Sequence, residues 1–177
     1  MQKTTEKQIF SLVLAAIFTA LTVIISRFLS INVWNMSIGF SFASVMLCGM
    51  LLGPLWGGAC GALADFIGAI LFPFGTYFPG FTATAFVGGV LFGFIGILAK
   101  KQIKGVNFIG LAALLLLLKE GVCSLLINSL WITLLYKSPY LPTLVSRLPL
   151  CCVNFVLELA FALVLKNFLI KKVRRIL

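Results

Sequence analysis

Apolar residues run along this chain in long stretches that short polar breaks separate. Six such stretches are present, and each is long enough, or nearly so, for a helix that crosses a lipid bilayer, which takes about 20 residues. They cover residues 9–29, 38–52, 55–72, 81–99, 108–136 and a last stretch that reaches Ile170. The second is short and ends at Gly53-Pro54, a typical helix stop. The pattern predicts an all-α integral membrane protein with six transmembrane helices.

Composition agrees with this pattern and excludes several classes of protein. Of the 177 residues, 62% are hydrophobic and 10% are charged, whereas soluble domains are about half apolar and about a quarter charged. Six membrane-spanning helices with short loops account for the length of the chain, so residues 1–177 are predicted to form a single transmembrane domain. There is no phosphate-binding loop of the G-x-x-x-x-G-K-[ST] type, no spacing that suggests a catalytic nucleophile and base, and no metal-ligand motif. The sequence therefore predicts a binding or transport subunit without a cofactor and not an enzyme.

Basic residues cluster beside the apolar stretches, and their distribution predicts the orientation of the chain. The 14 Lys and Arg outnumber the 4 Asp and Glu, for a net charge of +10. In this arrangement they indicate membrane topology and not a nucleic-acid partner. Six helices place both termini on one side with nine basic residues, against only Lys137 on the other. The nine are Lys3, Lys7, Lys100, Lys101, Lys104, Lys171, Lys172, Arg174 and Arg175. Both termini are therefore predicted to be cytoplasmic, and the 30–37, 73–80 and 137–142 loops extracellular.

Polar residues inside the apolar stretches are costly in a bilayer, so each is a candidate site residue. In the fifth and sixth stretches they recur every three or four residues, which places each set on one helix face. The two sets are Glu120, Ser124, Asn128 and Trp131, and Arg147, Cys151, Asn154 and Glu158. Since these helices are consecutive and antiparallel, we expect the two polar stripes to face each other or a common cavity.

Small residues predict two surfaces for close helix packing. One is a face of the third stretch that also carries a carboxylate. Its members are Gly58, Gly61, Ala62, Asp65 and Ala69. The other is the A-x-x-x-A pattern of Ala16 and Ala20 in the first stretch. A small-x-x-x-small pair lets another helix approach closely, although such pairs are common in membrane helices.

Depth sorts the polar residues into two layers. Counted from the predicted extracellular ends at about 1.5 Å per residue, an outer layer lies roughly 5–12 Å deep and an inner layer about 24 Å deep. The outer layer contains Arg27, Asp65, Asn128, Trp131 and Arg147. The inner layer contains Glu120 and Glu158 with Lys119 nearby. We favour a buried neutralising cluster that fixes helix packing for the inner layer, with a proton site as the alternative.

The outer layer has the chemistry to bind a flat heteroaromatic anion. A carboxylate accepts two parallel hydrogen bonds from an aminopyrimidinone edge, arginines bind carboxylates, and aromatic faces stack on the ring. Each residue also has a purely structural interpretation. The arginines could extend to the headgroups, Asp65 could form an interhelical hydrogen bond, and the aromatic residues of the 73–80 loop could belong to an interfacial belt.

These features together resemble the S component of an energy-coupling factor (ECF) vitamin transporter. The likeness rests on the six-helix pattern, the basic cytoplasmic ends and the A-x-x-x-A pattern, and it covers essentially the whole chain. Three short segments resemble the folate-specific S components most: 25–28 (ISRF), 61–65 (GALAD) and 78–86 (FPGFTATAF).

The resemblance implies a mechanism, partners and a location. An S component captures its vitamin outside a bacterial plasma membrane. It delivers the vitamin inward with a transmembrane coupling protein, EcfT, and two ATPase subunits. Ala16 and Ala20 would dock on the coupling protein, and Arg27 and the 77–82 segment would help to bind folate. Together with the polar stripes, this predicts a substrate site of Arg27, Asp65, Tyr77, Phe78, Thr82, Asn128, Trp131, Arg147 and Asn154.

Other hypotheses remain open on the sequence alone. The vitamin could be another small vitamin or precursor, the chain could be a proton-coupled secondary transporter that uses Glu120 and Glu158, or it could be an assembly subunit without a ligand. One conflict is also open. On a straight helix, Ala16, Ala20 and Arg27 lie within about 20° of one face. A docking surface and an inward ligand residue should not coincide, so either the first helix bends or ends before Arg27, or one assignment is wrong.

Overall fold

The part of the chain that the structure describes forms a bundle of six helices, and this confirms the predicted number and order. The computed structural model describes residues 2–33, 36–73, 76–101 and 105–172. The first four helices are Gln2–Phe28, Ser41–Leu52, Pro54–Leu71 and Pro79–Lys100. The fifth consists of the consecutive segments Gly105–Leu117, Leu118–Ile127 and Asn128–Tyr136, and the sixth is Tyr140–Lys172. Within this described part, five helices are long and apolar enough to cross a membrane and the second is shorter.

A short β-hairpin follows the first helix, where the sequence predicts only a polar loop. Its strands Ile31–Val33 and Met36–Ile38 are antiparallel, and Ile31 pairs with Ile38. Each strand has only three residues, too few for an alternating pattern to be recognised against the apolar stretches beside it.

The two ends of the bundle differ, and we name them by their contents. The hairpin end carries residues 29–33, 36–39, 72–73, 76–78 and 137–139. At this end the rings of Phe28 and Phe72 meet edge to face, with centroids 5.3 Å apart. The opposite, basic end carries the Gly53 turn and the exposed side chains of Lys100 and Lys101. Of the other predicted basic residues, Lys104, Arg174 and Arg175 and the side chains of Lys3, Lys171 and Lys172 lie outside the described residues.

Glycines bring the second, third and fourth helices into direct backbone contact. A Cβ built on Gly57 would lie 2.5 Å from the carbonyl oxygen of Gly89 and 2.7 Å from Cα of Gly49. A Cβ on Gly61 would lie 2.7 Å from the carbonyl oxygen of Ala85. Real side chains do not tolerate such distances, so these positions require glycine. The predicted small-residue face of the third helix is thus confirmed as a packing surface against the fourth helix.

We expect Gly89→Val to destabilise this unit. A Cβ on Gly89 would collide with the backbone of Gly57, which cannot move without separating the helices. Overpacking of this kind costs about 1–3 kcal/mol or more. Thermal unfolding in detergent should show the loss, whereas Gly110→Val should not, because a Cβ on Gly110 meets nothing within 4 Å. Equal unfolding temperatures for the two variants would contradict this packing.

The second helix is much shorter than the fourth and spans only part of the length of the bundle. It is 12 residues long and the fourth helix is 22, so their lengths differ by about 15 Å at 1.5 Å per residue. The two are aligned at the basic end, where Lys100 Nζ donates to the carbonyl oxygen of Leu51 at 2.8 Å. The missing length therefore falls at the hairpin end, and the fully buried core lies towards the basic end. That core includes Met46, Cys48, Met50, Cys60, Ile95, Phe108 and Leu116.

Candidate functional site

Asp65 of the third helix is held by a chain of hydroxyl groups at the hairpin end. Thr82 Oγ1 donates to Asp65 Oδ2 at 2.7 Å, and Tyr77 Oη lies 3.2 Å from Thr82 Oγ1. Thr82 is in the first turn of the fourth helix, which begins at Pro79, a residue favoured at that position. The half-buried carboxylate is thus oriented by the neighbouring helix and by the loop before it.

Arg27 reaches the same region from the end of the first helix. A Cβ on Gly68 would lie 2.8 Å from Arg27 Nε, so the guanidinium lies against the third helix. Asp65 is close enough to attract it electrostatically. The first helix continues to Phe28, so it does not end before Arg27 as one of the open possibilities required. Ala16 and Ala20 are exposed on the same helix, and the long arginine side chain reconciles an outward alanine face with an inward guanidinium.

An amide and an aromatic group lie on the flank of the fourth helix that faces the fifth helix. Thr84 Oγ1 donates to Asn128 Oδ1 at 2.7 Å. The rings of Phe78 and Trp131 are 5.3 Å apart, and Gly80 lies against both, since a Cβ there would be 2.5 Å from Phe78 and 2.7 Å from Trp131. Trp131 Nε1 is buried and has no hydrogen-bond partner among the described residues. The sequence prediction included Asn128, Trp131 and Phe78 but missed Thr84, whose only signal is a T-x-T spacing with Thr82.

Arg147 and Asn154 both belong to the sixth helix. Arg147 is 9% exposed and interacts electrostatically with Cys151 and Glu120, which belongs to the inner layer. Its Nε is buried without a hydrogen-bond partner among the described residues. Asn154 is half-buried and lies between Cys151 and Glu158 along the sixth helix. The structure thus joins Arg27, Asp65, Tyr77 and Thr82 on one flank of the fourth helix. Asn128, Trp131 and Phe78 lie on the flank that faces the fifth helix. Arg147 lies within electrostatic range of Cys151 and Glu120.

The polar stripes of the fifth and sixth helices face each other, as predicted. Ser124 Oγ and Cys151 Sγ are 3.7 Å apart. Lys119 Nζ pairs with Glu120 Oε1 at 2.5 Å and also with Glu158 Oε1. Glu120 is 3% exposed and Glu158 is 1% exposed. The inner layer is therefore a buried ion cluster that joins the two helices.

A π-helical segment, Leu118–Ile127, carries this cluster. Each turn of a π-helix closes with an i→i+5 hydrogen bond, and such segments occur often at functional sites. The wider turn lets the adjacent residues Lys119 and Glu120 both reach the sixth helix. The ammonium also lies 4.9 Å from the centre of the Phe92 ring, so the fourth helix closes the cluster.

Comparison with known proteins decides the family. Residues 6–171 match the family described as ECF-type riboflavin transporter, S component. The chain belongs to the ECF-type S components. The predicted resemblance is confirmed, and S components are substrate-binding subunits of transporters and not enzymes.

Individual relatives of this S component are folate transporters. The folate transporter FolT of Clostridium novyi (strain NT) is 35% identical over 146 residues, which cover 80% of this chain and 79% of the relative. FolT of Leuconostoc mesenteroides subsp. mesenteroides is 27% identical over 146 residues, covering 79% of this chain and 76% of the relative. The match at 35% identity agrees with the predicted likeness to folate-specific members.

Solved structures confirm the fold of the S component. A crystal structure of FolT bound with folic acid superposes with a TM-score of 0.76 at 30% identity, covering 89% of this chain and 92% of that one. The S component for biotin from an ECF-type ABC transporter superposes with a TM-score of 0.66 at 22% identity, covering 92% and 93% of the two chains. The second match shows only that the fold is shared.

Proposed function

We propose that this S component binds folate at the hairpin end and delivers it into a bacterial cell. One observation carries the proposal. Asp65, a carboxylate already held by Thr82 and Tyr77, lies at the same end as Trp131, whose buried N–H has no hydrogen-bond partner among the described residues. A ligand with both donors and acceptors on a flat ring would satisfy these groups. The relatives named FolT and the structure of FolT with folic acid support the same choice of vitamin.

The hydrogen-bonding edge of the ligand favours folate over riboflavin. The aminopyrimidinone edge of folate presents two adjacent N–H donors, and a carboxylate accepts both in parallel. The corresponding edge of a flavin presents one N–H between two carbonyl oxygens, so it offers Asp65 a single hydrogen bond. Phe78 and Trp131 supply apolar faces for the ring, and Arg27 and Arg147 supply positive charge for the carboxylates of the folate tail.

Asp65→Asn is expected to weaken folic acid binding by about ten- to a hundredfold. The amide keeps the size of the side chain but offers only one acceptor atom, and a charge-assisted hydrogen bond contributes about 1.5–3 kcal/mol, at about 1.4 kcal/mol per tenfold change. Titration calorimetry on the purified subunit measures the change, and thermal unfolding confirms that the variant folds. Arg27→Ala and Arg147→Ala should weaken binding of folic acid more than binding of a pterin without the tail.

Two results would reject the folate proposal. One is a parent protein that binds riboflavin but not folic acid. The other is unchanged folic acid binding in all three variants of Asp65, Arg27 and Arg147 when each folds normally.

Delivery into the cell would use the partners that the family implies, the coupling protein EcfT and two ATPase subunits. The exposed alanines Ala16 and Ala20 support this part of the proposal. Both residues are small, they lie one helical turn apart, and their side chains leave room for another helix to approach closely.

Orientation follows from the same proposal, with the hairpin end outside and the basic end in the cytoplasm. Cysteine-reactive or protease tags at the N-terminus, in 101–104 and at the C-terminus should therefore be protected in intact cells. Tags near Ser37, Thr76 and Ser138 should be accessible from outside. An accessible C-terminal tag would reject this orientation.

A further inference from the structure

The first two turns of the fourth helix hold polar side chains from both neighbouring helices. Thr82 donates to Asp65 of the third helix, and Thr84 donates to Asn128 of the fifth, each at 2.7 Å. Ala83, which lies between the two threonines, is exposed. Because successive residues are about 100° apart around a helix, Thr82 and Thr84 flank the inward face opposite Ala83. Asp65 and Asn128 therefore lie on either side of one inward face.

The Thr84 contact fixes the direction of the Asn128 amide. Two oxygens at 2.7 Å need a hydrogen between them, and only the Thr84 hydroxyl can supply it, because an amide oxygen only accepts. The carbonyl oxygens of Phe81 and Gly80 lie 2.8 Å and 3.2 Å from the same hydroxyl and compete for its single hydrogen. If the hydrogen went to Phe81, the amide would have to turn over and donate to Thr84. With the contact as it stands, the Asn128 NH₂ group is directed away from Thr84 and keeps two donors for a ligand.

We propose that Thr84 is a positioning residue that acts through Asn128 to select the 4-oxo form of a pterin ligand. The inference rests on the proposed folate site. Asp65 accepts from the N3 hydrogen and the 2-amino group, and the Asn128 NH₂ group donates to the 4-oxo oxygen. A 4-amino analogue has a donor in place of that oxygen and lacks the N3 hydrogen. Its 4-amino donors therefore lie opposite the NH₂ donors of Asn128, and no hydrogen bond can form between them.

The test compares folic acid with aminopterin, its 4-amino analogue, by titration calorimetry on the purified subunit. A mismatched buried hydrogen bond should make the parent bind folic acid about tenfold or more tighter than aminopterin. Thr84→Val keeps the shape but removes the hydroxyl, so the amide can turn over, and the ratio should fall to about threefold or less. Thr84→Ser should restore the ratio of the parent.

Two further variants separate positioning from folding. Thr19→Val removes a buried threonine hydroxyl outside the proposed site, which donates to the carbonyl oxygen of Ala15 at 2.8 Å and lies beside Cys60, and it should leave the ratio unchanged. Asn128→Asp keeps the shape but cannot donate to the ligand as a carboxylate, so it should shift the preference towards aminopterin. That variant keeps the proposal testable if Thr84→Val fails to fold.

Four results would overturn the inference. Thr84→Val could weaken both ligands equally, which would make Thr84 a structural residue only. The parent could prefer aminopterin, which would mean that the amide is turned over and the Thr84 hydrogen goes to Phe81. The parent could also bind neither ligand, which would reject the folate proposal as well. Binding of folic acid with an unaltered ratio in Thr84→Val would reject this inference alone.

Discussion

Replacing both Ala16 and Ala20 with leucine is expected to abolish folate uptake while folate binding by the isolated subunit survives. The two side chains are exposed and one turn apart, so leucine there adds bulk without disturbing the core. A partner helix that approaches a small-x-x-x-small surface would be displaced, and uptake should fall to less than about a tenth of the parent value. Uptake is measured in cells that carry the coupling protein and its ATPases, and binding by calorimetry on the purified subunit.

A matched exposed alanine supplies the control for this experiment. Ala160 lies on the sixth helix and is also exposed, so Ala160→Leu should leave uptake unchanged. Normal uptake in the Ala16 and Ala20 double variant would show that this face is not the docking surface. Loss of binding as well as uptake would show that the substitutions act on the fold of the subunit.

Lys119→Met is expected to be the most destabilising single change in the bundle. It removes the cation that pairs with both Glu120 and Glu158 and leaves two carboxylates in a dry interior. Breaking a buried ion pair from one side costs about 3–5 kcal/mol, whereas replacing all of its members with neutral residues is often nearly neutral. The expected result is a large fall in the thermal unfolding temperature in detergent.

A rescue experiment shows whether Lys119→Met loses stability through unpaired charge or through a packing defect. Glu120→Gln and Glu158→Gln introduced together into the Lys119→Met background should recover most of the stability, because no buried charge then remains unpaired. Lys101→Met, which changes an exposed lysine, should have no effect. Each glutamine variant alone should alter stability more than folate affinity. A Lys119→Met protein that unfolds like the parent would contradict a structural role for the cluster.

The sequence was sufficient to predict features that repeat along a helix. Apolar runs predict the six helices, and the three- to four-residue recurrence of polar residues predicts that Ser124 and Cys151 face each other. The small face with Gly58 and Gly61 predicts a close helix contact, which the fourth helix makes. Each of these depends only on spacing within one helix, which the 3.6-residue repeat fixes.

Features that depend on how helices tilt or change their winding could not be predicted in this way. The depth count placed Arg147 in the outer layer but could not identify Cys151 and Glu120 as its electrostatic neighbours, because depth along one helix does not fix its shift relative to another. The π-helical segment that contains Lys119 also interrupts the 3.6-residue α-helical repeat, on which the depth count relies. Thr84 was missed because its T-x-T spacing with Thr82 does not indicate a role until its partner Asn128 is known.

The short second helix has a consequence for biosynthesis. Twelve residues rise about 18 Å, which is well below the hydrocarbon thickness of about 30 Å. Such a segment does not partition stably into a bilayer alone. It shares the Gly53 turn with the third helix and meets it backbone to backbone at Gly49 and Gly57. The second and third helices should therefore leave the translocon together as one helical hairpin, so the membrane accepts the shorter segment only as part of that pair.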